Sequence, residues 1–277
     1  MSISAKIILD SVSPRNVRLT TFELRYPRFF HQEVMTHRVI SRNASSSRAI
    51  PLKKMLEAVE TDPAMPIWWG KNQAGMQARE ELTGEALEQA KKGWLEARDA
   101  AVAWARRLGD LNLHKQLVNR IIEPWSHITV VCSGTDWGNF YNLRNHTDAQ
   151  PEFEELAGKM LEVHNDHSKL KRLEWDEWHL PYLKEEEYNQ PLEILQKLSV
   201  ARCARVSYLN HDKSEPDQPK DIGLFDDLLS SGHMSPFEHQ ATPLMDYEFS
   251  GNFQGWKQLR KTLKNENRSK YEGLREI

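Results

Sequence analysis

Thr36-His37-Arg38-Val39-Ile40-Ser41-Arg42-Asn43-Ala44-Ser45-Ser46-Ser47-Arg48 is a polar run set between apolar neighbours. Besides His37 it holds three arginines, five hydroxyls and one amide in thirteen residues. Phe29, Phe30, Val34 and Met35 precede it, and Pro51 closes it. Arginine offers fork-shaped donors to phosphate or to a carbonyl edge. Serine and asparagine side chains, with backbone N–H groups in a turn, can complete an anion-binding nest. The same composition also suits a polar loop following a helix.

Upstream, residues 4–9 and 17–26 read as strands, with the alternation changing phase at Thr20-Thr21. Ser13-Pro14-Arg15-Asn16 is the turn between them. Pro27 suits a first helical position, and the spacing predicts a helix over 28–40 carrying Glu33, His37 and Arg38 to the polar run. Downstream, 52–60 reads as a short helix broken by Asp62-Pro63-Ala64-Met65-Pro66. Trp68-Trp69 either lines a flat ligand or packs as a loop under a helix. Residues 79–108 are strongly helical, ending at Gly109, and a second helix runs from Leu113 to Ile122 before Pro124. The β-branched run over 127–132 fits a strand or a buried helix segment. Thr135 or Asp136 then caps a helix through Arg144, and 151–170 forms another. His164 and His167 can share a helix face, but no third ligand stands near, so no metal is expected. Residues 171–197 read as a connector whose acidic run, Glu185 to Glu187, is a solvated face or a helix start.

The chain has 277 residues, 39% hydrophobic, enough for a sizeable core. A net charge of −3 argues against a general nucleic-acid coat while leaving room for a local basic pocket. Two cysteines, Cys132 and Cys203, give neither a disulfide framework nor a zinc pattern. No apolar run reaches transmembrane length and no secretory signal is evident, so the chain reads as soluble and cytoplasmic.

The polar run resembles the signature of the flavin-dependent thymidylate synthases: Arg-His-Arg, seven residues, then Ser. His37, Arg38 and Ser46 match, and Ser41, Asn43 and Arg48 also fall where the family has Ser, Asn and Arg. Asn119-Arg120-Ile121-Ile122-Glu123-Pro124 is similar to its Ala-Arg-Ile-Val-Leu-Pro, and Asn139-Phe140-Tyr141-Asn142-Leu143-Arg144 to its Asn-Phe-Leu-Asn-Leu-Arg. Ala149-Gln150-Pro151-Glu152 follows as its Ala-Gln and acidic residue do. Two further segments arrive out of order. Val200 to Tyr208 resembles the family's N-terminal Ala-Ala-Arg-Val-Ser, and Gly232 to His239 its Gly-His-x-Thr-Pro-Phe-Glu-His. A circular permutation with 171–197 as the new joint explains that order. The tail reads as a helix from Gly255-Trp256, either a degenerate second copy of the signature (Trp256, Arg260, Asn265, Glu266) or a solvated basic helix. Three departures stand out: Thr36 for Arg, Ala44 for Glu, and Glu33 for Gln.

The resemblance implies an α+β fold, a mostly antiparallel sheet with packed helices. It implies one catalytic domain over 1–277, with a signature half at 1–170 and a permuted half at 198–277. It implies that 5,10-methylenetetrahydrofolate supplies a carbon to C5 of dUMP, that reduced FAD supplies hydride and that NADPH reduces the flavin. No cysteine nucleophile is then needed, and both cysteines read as structural. By the same resemblance Arg144 stabilises charge on the pyrimidine carbonyl edge, while Ser46, Arg48 and Arg120 anchor the nucleotide. His37, Asn43, Asn139 and Ser235 contact flavin, and Arg38 serves either ligand. Ser207, His233 and Glu238 shape the site. Homotetramers with shared sites are expected, with no membrane or nucleic-acid polymer as partner. Glu33 accepts from a donor on the base, for which a cytosine amino group qualifies. The alternatives are therefore C5 modification of dCMP, hydroxymethylation, or an inactive nucleotide-binding protein.

Overall fold

A computed structural model describes residues 3–206, 215, 217–264 and 266. Strands β1 (Ser4–Val12) and β2 (Arg18–Pro27) form an antiparallel hairpin. Its turn holds Asn16 at φ +61°, a conformation asparagine tolerates. Ile7 faces Phe22 and Leu9 faces Thr21, so Ile8 is an extra residue. That bulge lies where the alternation of β2 changes phase.

After a 3₁₀ turn, α1 spans only His31–Val34, followed by β3 (Ser41–Ala44), α2 (Leu52–Thr61), α3 (Gly84–Asp110) and α4 (Lys115–Ile122). The run at 127–132 is a strand, β4 (His127–Gly134). It lies between β2 and β3, antiparallel to both, and is largely buried, which accounts for its continuous apolar character. Next come α5 (Gly138–Arg144), α6 (Pro151–Asn165) and β5 (Leu170–Arg172), which pairs parallel with β1. The sheet order is β3-β4-β2-β1-β5. The remaining elements are α7 (Leu192–Arg205), α8 (Gln218–Ser231), β6 (Ala241–Pro243), β7 (Phe249–Ser250), β8 (Phe253–Gln254) and β9 (Trp256–Gln258). The class is α+β with mostly antiparallel pairing, and no described helix is long and apolar enough to cross a membrane.

Several boundaries differ from the sequence reading. The helix expected over 28–40 stops at Val34. Thr36 Oγ1 donates to Glu33 O at 2.7 Å, and Arg42 Nη1 donates to Val34 O at 3.2 Å and to His37 O. Those carbonyls are the acceptors that further helical turns would use. The helix expected over 151–170 ends at Asn165, because Asp166 accepts from Ser168 N and the chain turns into β5. The connector is shorter than 171–197, since β5 and α7 enter it from either side. At the tail, Trp256 is buried in β9, paired with β6, and a 3₁₀ turn follows over Leu259–Thr262 where a helix was expected. Lys261 pairs with Glu266, and Asn265 lies outside the described residues. Asp136, rather than Thr135, receives the first N–H of α5, from Gly138 at 3.0 Å.

One face of the sheet presents Phe22, Leu24, Ile128, Val130 and Cys132 to Phe140, Phe153, Leu156 and Met160 of α5 and α6. Each fully buried side chain of this size contributes about 1.5–3 kcal/mol, an upper bound given a compact unfolded chain. The other face carries Val131 against Tyr182, Cys203 and Val206. Helices α2, α3 and α4 share a separate cluster around Val59, Ala105 and Val118.

The acidic run does not lie wholly in solvent. Glu187 receives both Nη atoms of Arg202 at 2.6 Å, and Arg202 Nε reaches Asp221 at 3.2 Å. Arg205 also pairs with Asp221, and Arg202 and Asp221 are each 0% exposed. Removing one member of such a buried cluster leaves an uncompensated charge. Asp221→Ala is expected to lower unfolding free energy by about 3–5 kcal/mol, measured by urea denaturation. A loss under about 1 kcal/mol would show that the cluster relaxes into water.

Candidate active site

Arg144 ends α5, where a cation meets the negative end of the helix dipole. Its Nε donates to His37 Nε2 at 2.8 Å and its Nη2 to Thr36 Oγ1 at 3.2 Å. Glu33 Oε2 lies 3.5 Å from Nη1, and the guanidinium sits 4.6 Å from the Phe153 ring centroid. The His37 ring packs edge-on against Phe140 and Phe153. Burial, then the Arg144 and Arg42 charges, lower His37 to about 4. The imidazole is therefore neutral near pH 7, and with Nε2 accepting, its proton sits on Nδ1. Two of the three departures thus converge on one guanidinium. Thr36 and Glu33 hold Arg144. The third, Ala44, packs against the main core.

A second cluster forms where β3 leaves the sheet. Ser46 and Ser47 carbonyls accept from Ala49 and Ile50, making a tight turn before α2. Asn119 Nδ2 donates to Ser47 O at 2.7 Å and Ile50 O at 3.0 Å, docking α4 on that turn. Ser47 Oγ donates to Glu123, whose carboxylate pairs with Arg120 at 3.2 Å. The structure thus brings Arg120 to the turn bearing Ser46 and Arg48, all three exposed. Among the described residues no ion pair involves Arg38 or Arg48, both exposed.

The C-terminal elements reach the signature strand through Asn43. Its Nδ2 donates to Cys203 O at 2.8 Å and Ala204 O at 3.2 Å, and its Oδ1 accepts from Ser235 Oγ at 3.1 Å. Glu238 is paired with Arg260, and exposed His233 bonds Ser231 at 2.7 Å. Asn139 is exposed on α5. Ser207 lies outside the described residues. Both cysteines are buried, and burial raises the Cys132 thiol to about 12 and Cys203 further. Arg202 and Arg205 do not activate Cys203, because both are spent on carboxylates. Both ring nitrogens of His164 are taken, by Thr20 and Tyr141, each at 3.1 Å.

A cleft of about 610 Å³ opens beside Arg144 and Glu33, lined also by Phe29, Trp68, Trp94 and Glu152. The tryptophan pair divides its work: Trp68 lines this cleft, and Trp69 packs edge-on against Trp94 at 6.2 Å. Phe153 and Trp94 fall in stretches, 151–170 and 79–108, that the sequence reads only as helix. Nothing local marks a partner for a guanidinium or a cleft wall.

The geometry describes an α+β protein with an arginine-centred polar site at the end of a helix, beside a cleft of ligand size. Residues 9–167 match the Thy1 family model, described as thymidylate synthase complementing protein. The chain belongs to this family. Membership supports an enzyme of the methyltransferase type acting on a nucleotide. No curated protein matches by sequence. Among solved structures, one similar chain is the UMP/dUMP methylase PolB from Streptomyces cacaoi, bound with 5-Br UMP. It is 16% identical at a TM-score of 0.49, covering 61% of this chain and 90% of that one.

Proposed function

We propose that this chain is a flavin-dependent thymidylate synthase that transfers a one-carbon unit from 5,10-methylenetetrahydrofolate to C5 of dUMP, giving dTMP. The carrying observation is Arg144, fixed by His37, Thr36, Glu33 and Phe153 at the end of α5. Making C5 nucleophilic pushes negative charge onto the ring carbonyls, and a preorganised guanidinium stabilises that charge. The elevated thiols of Cys132 and Cys203 support a route without a thiolate adduct.

The donor set fits an anionic dinucleotide. Arg38 is an exposed cation outside any described ion pair, and Asn139 presents an exposed amide. FAD would be held by these two, by His37 through Nδ1–H and by Ser235 braced on Asn43, with NADPH as reductant. When bound and reduced, it supplies the hydride that completes a methyl group. Ser46, Arg48 and Arg120 take the nucleotide phosphate. Arg48→Ala is expected to raise the nucleotide Kd about tenfold to a hundredfold, the worth of a charge-assisted hydrogen bond. Isothermal titration checks it; a change below twofold would move the phosphate elsewhere.

Residues 198–277 complete the same domain as a permuted half, a reading supported by the Asn43 bridge and by Ser133 Oγ meeting His239 Nδ1 at 2.9 Å. The assembly is a cytoplasmic homotetramer. Glu33 beside Arg144 favours a second substrate reading, dCMP, whose amino group donates where uracil has an acceptor. The visible spectrum of the purified protein, with and without dUMP or dCMP, tests both. A flavin band perturbed by one nucleotide supports the reading and names the base. A colourless protein that fails to bind added FAD refutes it and leaves an inactive nucleotide-binding protein.

A further inference from the structure

Arg42 is not one of the signature-like positions; it stands between Ser41 and Asn43, which are. The strand that carries it, β3, pairs with β4 at the edge of the sheet. Successive side chains of a strand point to opposite faces. Ser41 and Asn43 turn to the second face, where the C-terminal elements hold them. Ser41 Oγ accepts from Asn252 Nδ2 at 3.1 Å and from Gln258 Nε2 at 3.0 Å, and Asn43 bridges Cys203, Ala204 and Ser235. Arg42 lies opposite Cys132 and, like Ala44, faces the main core. A cation set against that apolar side has to be explained by its partners.

Those partners are two carbonyls. Half-buried Arg42 donates from Nη1 to Val34 O at 3.2 Å and to His37 O. Among the described residues it forms no ion pair with a carboxylate. The backbone bonds of the same turn are long: His37 N reaches Val34 O at 3.4 Å, and Ile40 N reaches His37 O at 3.3 Å. Met35, Thr36, Arg38 and Val39 are exposed, so packing holds the turn only through Val34, His37 and Ile40. The turn that carries the His37 ring therefore takes its firmest tether from a charge-assisted bond across to β3. The charge acts on the ring as well. After burial and Arg144, Arg42 is the next influence keeping the imidazole unprotonated, and so an acceptor for Arg144 Nε at 2.8 Å. Arg144 meets the ring from α5 and Arg42 bears on it from β3, while the uncharged rings of Phe140 and Phe153 pack edge-on. Glu33 approaches Arg144 at 3.5 Å, and Arg38, next in the chain, is exposed. Thr36 takes the first arginine of the signature away; Arg42 returns a cation to the turn from beneath.

We propose that Arg42 is a positioning residue for Arg144: it fixes the backbone of the His37 turn and holds the imidazole as an acceptor, so that the Arg144 guanidinium keeps its aim at the nucleotide ring. The proposal rests on the reading of Arg144 as the group that stabilises charge on that ring, and adds what aims it. Arg42 itself contacts neither nucleotide nor flavin. Because one nitrogen, Nη1, serves both carbonyls, an ammonium in its place can make the same two bonds. Arg144 differs, with all three guanidinium nitrogens engaged.

The test measures single-turnover rates at saturating dUMP or dCMP, and the Kd of each nucleotide by calorimetry. The proteins are wild type, Arg42→Met, Arg42→Lys, Arg144→Ala, and the double variant carrying Arg42→Met with Arg144→Ala. Circular dichroism and urea midpoints check folding; Arg42→Gln, which keeps one donor, replaces Arg42→Met if that variant unfolds. The proposal expects Arg42→Met to lower the rate about tenfold to a hundredfold, the scale of a misplaced catalytic group, with the nucleotide Kd within about threefold. Arg42→Lys should recover most of the loss. In the Arg144→Ala background the same Arg42→Met change should cost less than about twofold, because the group it aims is gone. Nitrogen NMR of the ligand-free protein near neutral pH should show His37 in the single tautomer protonated on Nδ1, and a mixture of tautomers in Arg42→Met. An Arg42→Met rate within about twofold of wild type, an equal loss in both backgrounds, no recovery in Arg42→Lys, or an unchanged His37 tautomer overturns the proposal. Wild type that turns over neither nucleotide defeats the enzymatic reading instead, and the His37 spectra of the ligand-free variants then decide the role of Arg42.

Discussion

Arg144→Ala is expected to lower kcat by about two to three orders of magnitude, the range for removing one preorganised donor from a developing oxyanion. The guanidinium is held on every side that the ligand does not use. Its Nε is committed to His37, one Nη atom meets Thr36, the other approaches Glu33, and its face lies over Phe153. Little reorganisation is then left for the moment of reaction. Arg144→Lys should recover no more than about tenfold of that loss, because a single ammonium cannot bond His37 and a ring carbonyl in the fixed fork geometry. With His37 lowered to about 4, the imidazole accepts from Arg144 throughout the neutral range. Activity should therefore show no His37 titration between about pH 5.5 and 8, and should fall only as acid protonates Nε2 and sets two cations against each other. Single-turnover rates across pH test both statements. A fully active Arg144→Ala enzyme would remove Arg144 from the chemistry.

Acid should destabilise this protein steeply below about pH 6.5, well before its carboxylates titrate. His179 and His239 lie in a buried chain of hydrogen bonds on the second face of the sheet. His179 joins Ser11 and Thr21, each at 2.8 Å; Thr21 meets Ser133 at 2.7 Å, and Ser133 meets His239. Burial lowers both imidazoles to about 3, and His239 Nε2 has no hydrogen-bond partner among the described residues. Between that value and the unfolded value near 6.5, the unfolded chain binds protons that the native state refuses. Stability is then fully present above about 6.5 and is lost as pH falls toward the native pKa. Each of the two contributes a slope of about 1.4 kcal/mol per pH unit in that window. His31, His127 and His164, lowered to about 4 by burial first, act in the same direction. Urea midpoints from pH 7.5 to 5 measure the effect, and His239→Asn should flatten the slope by roughly one proton. A midpoint independent of pH over that range would contradict the buried neutral pair.

The local elements were legible because their signals are local. The hairpin of β1 and β2, the helices α2 and α4, the body of α3 and the phase change at the bulge all follow from period and turn residues within a short window, although α3 begins at Gly84 rather than 79 and runs through Gly109 to Asp110. The family was also legible, since residues 9–167 match it and the motifs at 36–48 and 139–144 lie inside that range. The strand β4 was ambiguous because an apolar run buried on both faces carries no period to separate strand from helix. The helix over 28–40 was misjudged because its stop is made by Arg42 reaching back to the carbonyls of Val34 and His37, and no helix-propensity pattern contains that bond.

By itself, then, the amino-acid sequence determined which segments are strands and helices in most of the chain, the family, and which polar residues were worth watching. The tertiary structure alone decided that Glu33, Thr36, His37 and Phe153 surround Arg144, that Trp68 rather than Trp69 faces a cleft, and that Glu187 is bonded to Arg202. The physical reason is separation along the chain. The His37–Arg144 bond spans 107 positions, and Ser235–Asn43 spans 192. Pairings of that range follow from how the sheet, α5, α6 and α7 pack together, and no local period or propensity encodes them.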